Sequence, residues 1–370
     1  MIGGGIAGAS AAHFLAAGGQ CDRVTLLEAE AQLAHHTTGR SAALLTQNYG
    51  EGPVRPLTTA SLAFLHNPPD QLVDHPVLTP RGIMTVAQHE TDYERLERGL
   101  LEGSKLQPPV GELDRDQAVE AAPHIRFQPS ARVMWEPRAH DIDVAGLHQA
   151  YVRGLRSHGG QIETSRRVDA ARPHGDRWIV ETTKGVLEAD IVVNAAGAWG
   201  DIVAAGASIA PAGLSPLRRT AFMVSSPFPE SEHLPFVAEI HHRWYLRPDG
   251  AQFMCSPADE TPSEPCDARA EELDIARTIE MINENTRLNV RSVNSHWAGL
   301  RTFGPDRAMV IGPEPAQPNF IWCVGQGGTG IQTSPGAGQL VADLVIDGTP
   351  SQQFNDVGLE LAKLLPDRLR

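Results

Sequence analysis

Apolar residues in this chain fall into short blocks separated by glycine and proline, and the blocks differ in kind. Met1-Ile2 reads as the stub of a strand, Gly3-Gly4-Gly5-Ile6-Ala7-Gly8 as a turn, and 7–17 as a helix of small residues. After Arg23, residues 24–27 are β-branched and apolar and alternate poorly, the pattern of a strand covered on both faces, and Glu28 closes it. A polar loop, 39–50, leads to a helix over 56–65 with proline in its first turn. A strand is predicted at 82–86 and a charged surface helix at 92–101. Asp143 reads as the N-cap of a helix to about 157. Strands follow at 161–164, 178–182 and 189–194, with 172–175 rich in turn residues. The middle is mixed, with strands at 220–224, 242–247 and 252–254 and a helix at 271–283. The last third repeats the opening: strands at 308–311 and 320–324, a glycine turn at 325–330, and a helix at 334–346 that ends before Gly348.

Nucleotide-type pieces thus lie at both ends and near residue 194. The pattern predicts an α/β fold: a discontinuous Rossmann-like dinucleotide-binding domain over 1–80, 140–213 and 300–370. Inserted into it is an α+β domain on a mixed or antiparallel sheet, 81–139 and 214–299. At 370 residues the chain is long enough for two or three packed lobes. Its net charge of −14 opposes binding to nucleic acid or an anionic membrane surface. No apolar stretch reaches membrane-spanning length, and the apolar start lacks a basic flank, so a signal peptide is not expected. Cys21, Cys255, Cys266 and Cys323 have neither redox nor zinc spacing and read as reduced, mostly buried thiols of a cytoplasmic protein. The histidines, including His35-His36 and His241-His242, show no metal spacing and read as solvated loop residues.

Five segments carry candidate chemistry. The first is the glycine turn Gly3, Gly5, Gly8 before a helix, where bare backbone N–H groups can hold a pyrophosphate. Glu28, at the end of the next strand, can accept from ribose hydroxyls and would repel a 2′-phosphate. The second, 192–199, runs an apolar strand into Ala196 and Gly197, small enough for close approach to a cofactor. The third, Gly325, Gly327, Gly328 and Gly330, then Ile331 and Gln332, feeds a second helix N-terminus. A nicotinamide does not require it, whereas a reduced flavin gains from a positive potential there. FAD is therefore preferred over NAD. The fourth is 296–301, where Arg301 reads equally as a carboxylate clamp and as an interdomain ion pair. The fifth is the loop with Arg40, Ser41, Ala42, Thr46 and Tyr49.

Together these motifs resemble the D-amino-acid oxidase superfamily of FAD-dependent oxidoreductases. Within it they are most similar to bacterial D-arginine dehydrogenase. The resemblance covers nearly the whole chain and rests on IGGGIAGAS (2–10), TTGRSAA (37–43), Asn67-Pro68-Pro69 with His75-Pro76, GLHQAYVRG (146–154), VNAAGAW (193–199), WAGLR (297–301) and QGGTGIQTS (326–334). It implies non-covalent FAD held by Gly3, Gly5, Ile6, Ala7, Gly8 and Glu28, and lined by Arg40, Ser41, Ala42, Val168, Ala196, Gly197 and the 325–330 loop with Ile331. It further implies that Arg301, Arg219 and Tyr245 hold a substrate carboxylate, that Tyr49 covers the site, and that Gln332 is a polar residue on the flavin side. The implied reaction is hydride transfer from Cα of a D-amino acid to the flavin, then hydrolysis of the imino acid to a 2-oxo acid and ammonia. Oxygen, a quinone and an electron-transfer protein are all open as acceptors.

Two departures modify that expectation. Ile83 and Leu44 stand where the enzyme for basic D-amino acids has an acid and a histidine, so an apolar or aromatic side chain is expected. The family also has more residues ahead of the glycine turn. The short start suggests a misassigned start codon or a shortened chain, and predicts a weakened fold and cofactor site. An oxidase of glycine, sarcosine or another secondary amine, and a catalytically impaired flavoprotein, are the alternatives.

Overall fold

A computed structural model describes residues 1–50 and 52–370. Its first sheet is assembled from distant parts of the chain. Thr25–Leu27 pairs in parallel with Gln161–Glu163. Ile2 bridges Leu27 on one side and Asn194 on the other, so the predicted stub occupies the centre of the sheet. Val192–Asn194 then pairs in parallel with Gln317–Val324, which pairs antiparallel with Val310–Glu314. On one face pack the helices Ile6–Ala17, Val144–Ser157 and Ser334–Ile346, burying Ala11, Leu15, Leu155, Leu340 and Val341. The other face is covered by an antiparallel sheet of Val168–His174, Arg177–Thr182 and Gly185–Ala189, centred on Trp178 and Phe320. Both faces are apolar, which explains why these strands read as unbroken hydrophobic runs.

The second sheet has nine strands. From Thr261–Pro262 it passes through Ser215–Ser225, Gln252–Ser256, Tyr245–Asp249, Phe236–Glu239, Ile83–Ala87 and Arg132–Glu136 to Gly111–Leu113, with Ser295–Phe303 also paired to Ser215–Ser225. It is mixed, since Phe236–Glu239 and Ile83–Ala87 run parallel. Alternation sorts its side chains. Met84, Val86, Phe222, Val224 and Leu246 face the helix Glu272–Asn285, whereas Ile83, Ala221, Met223 and Tyr245 form a separate apolar layer on the opposite face. The architecture is the expected one: a discontinuous Rossmann-like α/β unit beside a mixed sheet.

Several local expectations are corrected. Residues 172–174 belong to the strand Val168–His174, and the turn is confined to Gly175 at φ +59° and its neighbour. Pro173 is tolerated because this strand is an edge. The strand expected at 242–247 starts at Tyr245, because His242 sits in a left-handed turn at φ +56°. Residues 296–301 are themselves strand, within Ser295–Phe303 of the nine-stranded sheet, ahead of Val310–Glu314. Of the four free cysteines, Cys255 and Cys323 are buried, but Cys266 is exposed. No helix among the described residues is long and apolar enough to cross a membrane.

Candidate active site

Between the two sheets lies a cleft of ≈ 1820 Å³, counted to its open mouth. Its lining runs without a break from the glycine turn at Gly3 to Arg219 and Arg301. Gly3, Gly5, Ile6, Ala7, Glu28, Arg40, Ser41, Ala42, Val168, Ala196, Gly197, Arg219, Tyr245, Arg301, Gly327, Gly328, Gly330 and Ile331 all line it. Four expected residues do not. Gly8 and Gly325 shape the turns behind the lining, Gln332 is buried, and Tyr49 stands outside with its ring edge-on to His242, 6.1 Å between centroids.

At one end the first glycine turn is held from several sides. The Gly4 N–H donates to Glu28 Oε2 at 2.8 Å, and the Glu30 N–H donates to Glu28 Oε1 at 2.8 Å. The Ile6 N–H donates to the Thr38 hydroxyl at 3.0 Å. The Gly4 carbonyl faces His148 Nε2 at 3.0 Å and accepts from the Ala34 N–H at 3.1 Å. Burial keeps His148 below its ordinary pKa, so it serves as a neutral donor. Among the described residues, the N–H groups of Gly5, Ala7 and Gly8 have no acceptor. Three unpaired amides at a helix N-terminus are a cradle for a pyrophosphate. A Cβ on Gly3 would overlap the Ala195 carbonyl, and one on Gly8 would overlap the carbonyl of Gly3, so neither position accepts a side chain.

The middle of the cleft is bolted to the strand Ser295–Phe303. The Arg40 guanidinium donates to the carbonyls of Ala298 at 2.8 Å and Ala268 at 3.1 Å and pairs with Asp267. The Arg40 carbonyl accepts from the Trp297 indole at 3.1 Å, and the Thr37 hydroxyl donates to the Leu300 carbonyl at 2.8 Å. The Gly327 N–H donates to the Thr302 carbonyl at 2.8 Å, so the second glycine loop is tied to the same strand. Gln332 accepts from the Thr46 N–H at 3.1 Å and donates to the Thr58 hydroxyl at 3.0 Å. It therefore holds the 44–50 loop rather than lining the cleft.

The far end is cationic with an apolar wall. Register places Leu217 opposite Arg301 and Arg219 opposite Gly299, so Arg219 and Arg301 are diagonal neighbours on one face of the sheet. Arg219 donates to the Asp259 carbonyl at 2.7 Å and pairs with Glu260 at 3.2 Å. Burial, and then the charge of Arg301, lowers its pKa from the ordinary arginine value. The Arg301 guanidinium lines the cleft and has no hydrogen bond or ion pair among the described residues. Two neighbouring guanidinium groups, one unpartnered, favour an anion between them. Tyr245 lies beside them, tilted against Phe236 with 5.3 Å between centroids. Ile83, Phe236, Ala238 and Met254 pack around Tyr245, with Leu44 against them.

Sequence reasoning missed three features. Arg166 and Arg167 line the dinucleotide end. His36 is not simply solvated; it lines the cleft and packs on Trp199 at 4.6 Å. His242 faces Tyr49, and partial burial together with the Arg95 and Arg219 charges holds its pKa below the ordinary value. The fold also gathers Glu30 with His35 and His36, and Asp92 with Glu239 and His241, groups that linear spacing could not reveal.

A Rossmann-like unit with an open helix N-terminus and a second glycine loop in the same cleft is the arrangement of a dinucleotide-dependent oxidoreductase. A family model described as FAD dependent oxidoreductase matches residues 1–344, and the chain belongs to that family, the DAO family. It is 24% identical to mouse FAD-dependent oxidoreductase domain-containing protein 1 over 94% of this chain and 81% of that one. It is 23% identical to the glycine oxidase of Geobacillus kaustophilus, covering 93% and 92% of the two chains. In fold it is similar to an L-proline dehydrogenase from P. horikoshii, with a TM-score of 0.85 at 20% identity, covering 99% and 96%. FAD is thus the cofactor, and the side-chain-free cradle at Gly3 and Gly5 with its unpaired amides fits the pyrophosphate.

Proposed function

We propose that this oxidoreductase deaminates a D-amino acid with an apolar or aromatic side chain, giving an imino acid that hydrolyses to a 2-oxo acid and ammonia. The observation that carries this reading is Arg301, whose guanidinium has no partner among the described residues, beside the buried Arg219 with an apolar layer around Tyr245 next to both. FAD, when bound, accepts the hydride from Cα. The two guanidinium groups and the Tyr245 hydroxyl hold the carboxylate, fixing Cα relative to the cofactor, and positioning of this kind supplies much of the rate. The apolar layer of Ile83, Leu44 and Phe236 around Tyr245 favours an apolar side chain, because an ammonium or guanidinium buried against it would go unpaired. No protein base is assigned; a neutral amine suffices to expel hydride. The D configuration rests on the motif resemblance.

Likeness to a glycine oxidase and a proline dehydrogenase supports a second reading, oxidation of a small or secondary amine. Anaerobic bleaching of the bound flavin across D-, L- and N-methyl amino acids separates the two. Fastest bleaching by D-Phe, D-Met or D-Leu supports the first reading. Fastest bleaching by glycine, sarcosine or proline supports the second, and D-Arg or D-Lys as best substrate contradicts the apolar pocket.

A further inference from the structure

Glu136 is a buried acid, only 8% exposed, on the strand Arg132–Glu136. Register sets it opposite Ile83, and directly opposed residues in an antiparallel pair project from one face. That face carries the apolar layer of Ile83 and Tyr245, of which Tyr245 reaches the cleft. A carboxylate beside a substrate pocket invites the reading that it binds a basic side chain. Its hydrogen bonds argue otherwise. Oε2 accepts the Thr46 hydroxyl at 2.7 Å and Oε1 accepts the Gln47 N–H at 2.9 Å. The Asn48 N–H is also directed at the carboxylate. A substrate cation would have to displace this loop to reach it.

The same loop is held from the cofactor side, where Gln332 accepts from the Thr46 N–H at 3.1 Å. Thr46 is therefore pinned from two sides, by Glu136 on the nine-stranded sheet and by Gln332 ahead of the helix Ser334–Ile346. The two ends of the loop reach the substrate region: Leu44 packs against the apolar layer with Ile83 and Tyr245, and Tyr49 meets His242. Burial raises the pKa of Glu136, offset in part by the Thr46 and Gln47 hydrogen bonds, so an acid at this position is intrinsically unfavourable. The neighbouring buried positions Ile83, Met84 and Val133 are apolar. The carboxylate is explained by the loop it holds.

We propose that Glu136 is a positioning residue that fixes the 44–49 loop over the substrate pocket and so sets side-chain selectivity through Leu44 and Tyr49; the selectivity half rests on the substrate reading above. The test compares FAD-loaded wild type with Glu136→Gln, Thr46→Val and Thr46→Ser, using variants matched for flavin content and melting temperature. The first readout is amide exchange at 44–49 without substrate. The second is KM and the maximal flavin-reduction rate with apolar and basic D-amino acids.

Loss of one charge-assisted hydrogen bond predicts exchange at Gln47 and Asn48 faster by about tenfold or more in Glu136→Gln and Thr46→Val. The same loss predicts KM for the best apolar substrate about tenfold higher, with maximal reduction within about twofold of wild type. Thr46→Ser keeps the hydroxyl and restores both. Unchanged exchange and KM in Glu136→Gln and Thr46→Val overturn the proposal. So does selective loss of D-Arg and D-Lys turnover with unchanged exchange, which would make Glu136 a recognition acid. If Glu136→Gln does not retain FAD, the Thr46 pair decides. Because exchange needs no substrate, faster exchange with no D-amino acid turned over would fail the substrate reading and leave the loop clamp standing.

Discussion

The two glycine loops of the cleft look alike in sequence but are required for different reasons. In the first, glycine is demanded by backbone: a Cβ on Gly3 or Gly8 would run into the carbonyls of Ala195 or Gly3. In the second, glycine is demanded by side chains of the opposite sheet. A Cβ on Gly327 would strike the Phe303 ring, and one on Gly328 would lie 2.9 Å from Arg301 Nη1. The first loop is thus a fixed cradle that serves the cofactor alone. The second is a joint that sets the cofactor cleft against Arg301, the cation proposed to hold the substrate carboxylate. Separate effects on flavin binding and on substrate binding follow from that difference.

The largest effect is expected at the cradle. Gly3 has φ +105°, and Gly3→Ala adds a backbone overlap, for a combined cost of several kcal/mol. Purified protein should lose most of its flavin, read by absorbance after gel filtration; full flavin content would show that the turn is not the cradle. Arg301→Ala should come next. Losing a charged hydrogen bond worth ~3 kcal/mol raises KM on the order of 100-fold while flavin content stays normal. A near-wild-type KM removes Arg301 from the site. Gly328→Ala sharpens the comparison most. Displacing the end of a flexible guanidinium should raise KM about tenfold, with flavin affinity changed far less than in Gly3→Ala. Equal loss of flavin in both variants would erase the distinction between the loops.

The smallest effect concerns stability, away from the cleft. Burial lowers the His124 pKa from 6.5 to about 4, and neither ring nitrogen has a partner. The folded state excludes a proton that the unfolded chain takes up below pH 6.5. Stability from this group is therefore complete above that pH and is lost as pH falls toward 4, by on the order of 2–3 kcal/mol. His124→Phe should flatten the melting temperature between pH 6.5 and 4 relative to wild type. An unchanged slope contradicts the assignment. His13, also lowered to about 4, contributes in the same window and persists in the variant.

What could be read in advance followed from how local each signal is. The glycine turns and Glu28 are recognisable because a backbone cradle leaves its mark in consecutive residues. The strand 192–194 was legible because both its faces are buried. The pairing of Arg219 with Arg301 was not derivable from spacing, since it depends on Leu217 lying opposite Arg301 in a register spanning more than eighty residues. The Glu136 clamp was invisible for the same reason: its partners lie 89 and 90 positions away in sequence. Gln332 and Tyr49 matched motif positions, yet one is turned into loop packing and the other stands at the mouth. The hairpin through 168–182 was partly missed because Ala170-Ala171-Arg172-Pro173 has no apolar alternation and is held by pairing with Arg177–Thr182.

The claim that one cleft joins the flavin and a cationic substrate-carboxylate site is tested most directly by titrating the bound flavin with 3-phenylpropionate, a carboxylate that lacks the amine and cannot react. Wild type should show a saturable shift of the flavin absorption bands. Arg301→Ala, with its flavin retained, should need on the order of 100-fold more ligand for the same shift. Identical titration curves for the two proteins would contradict the account.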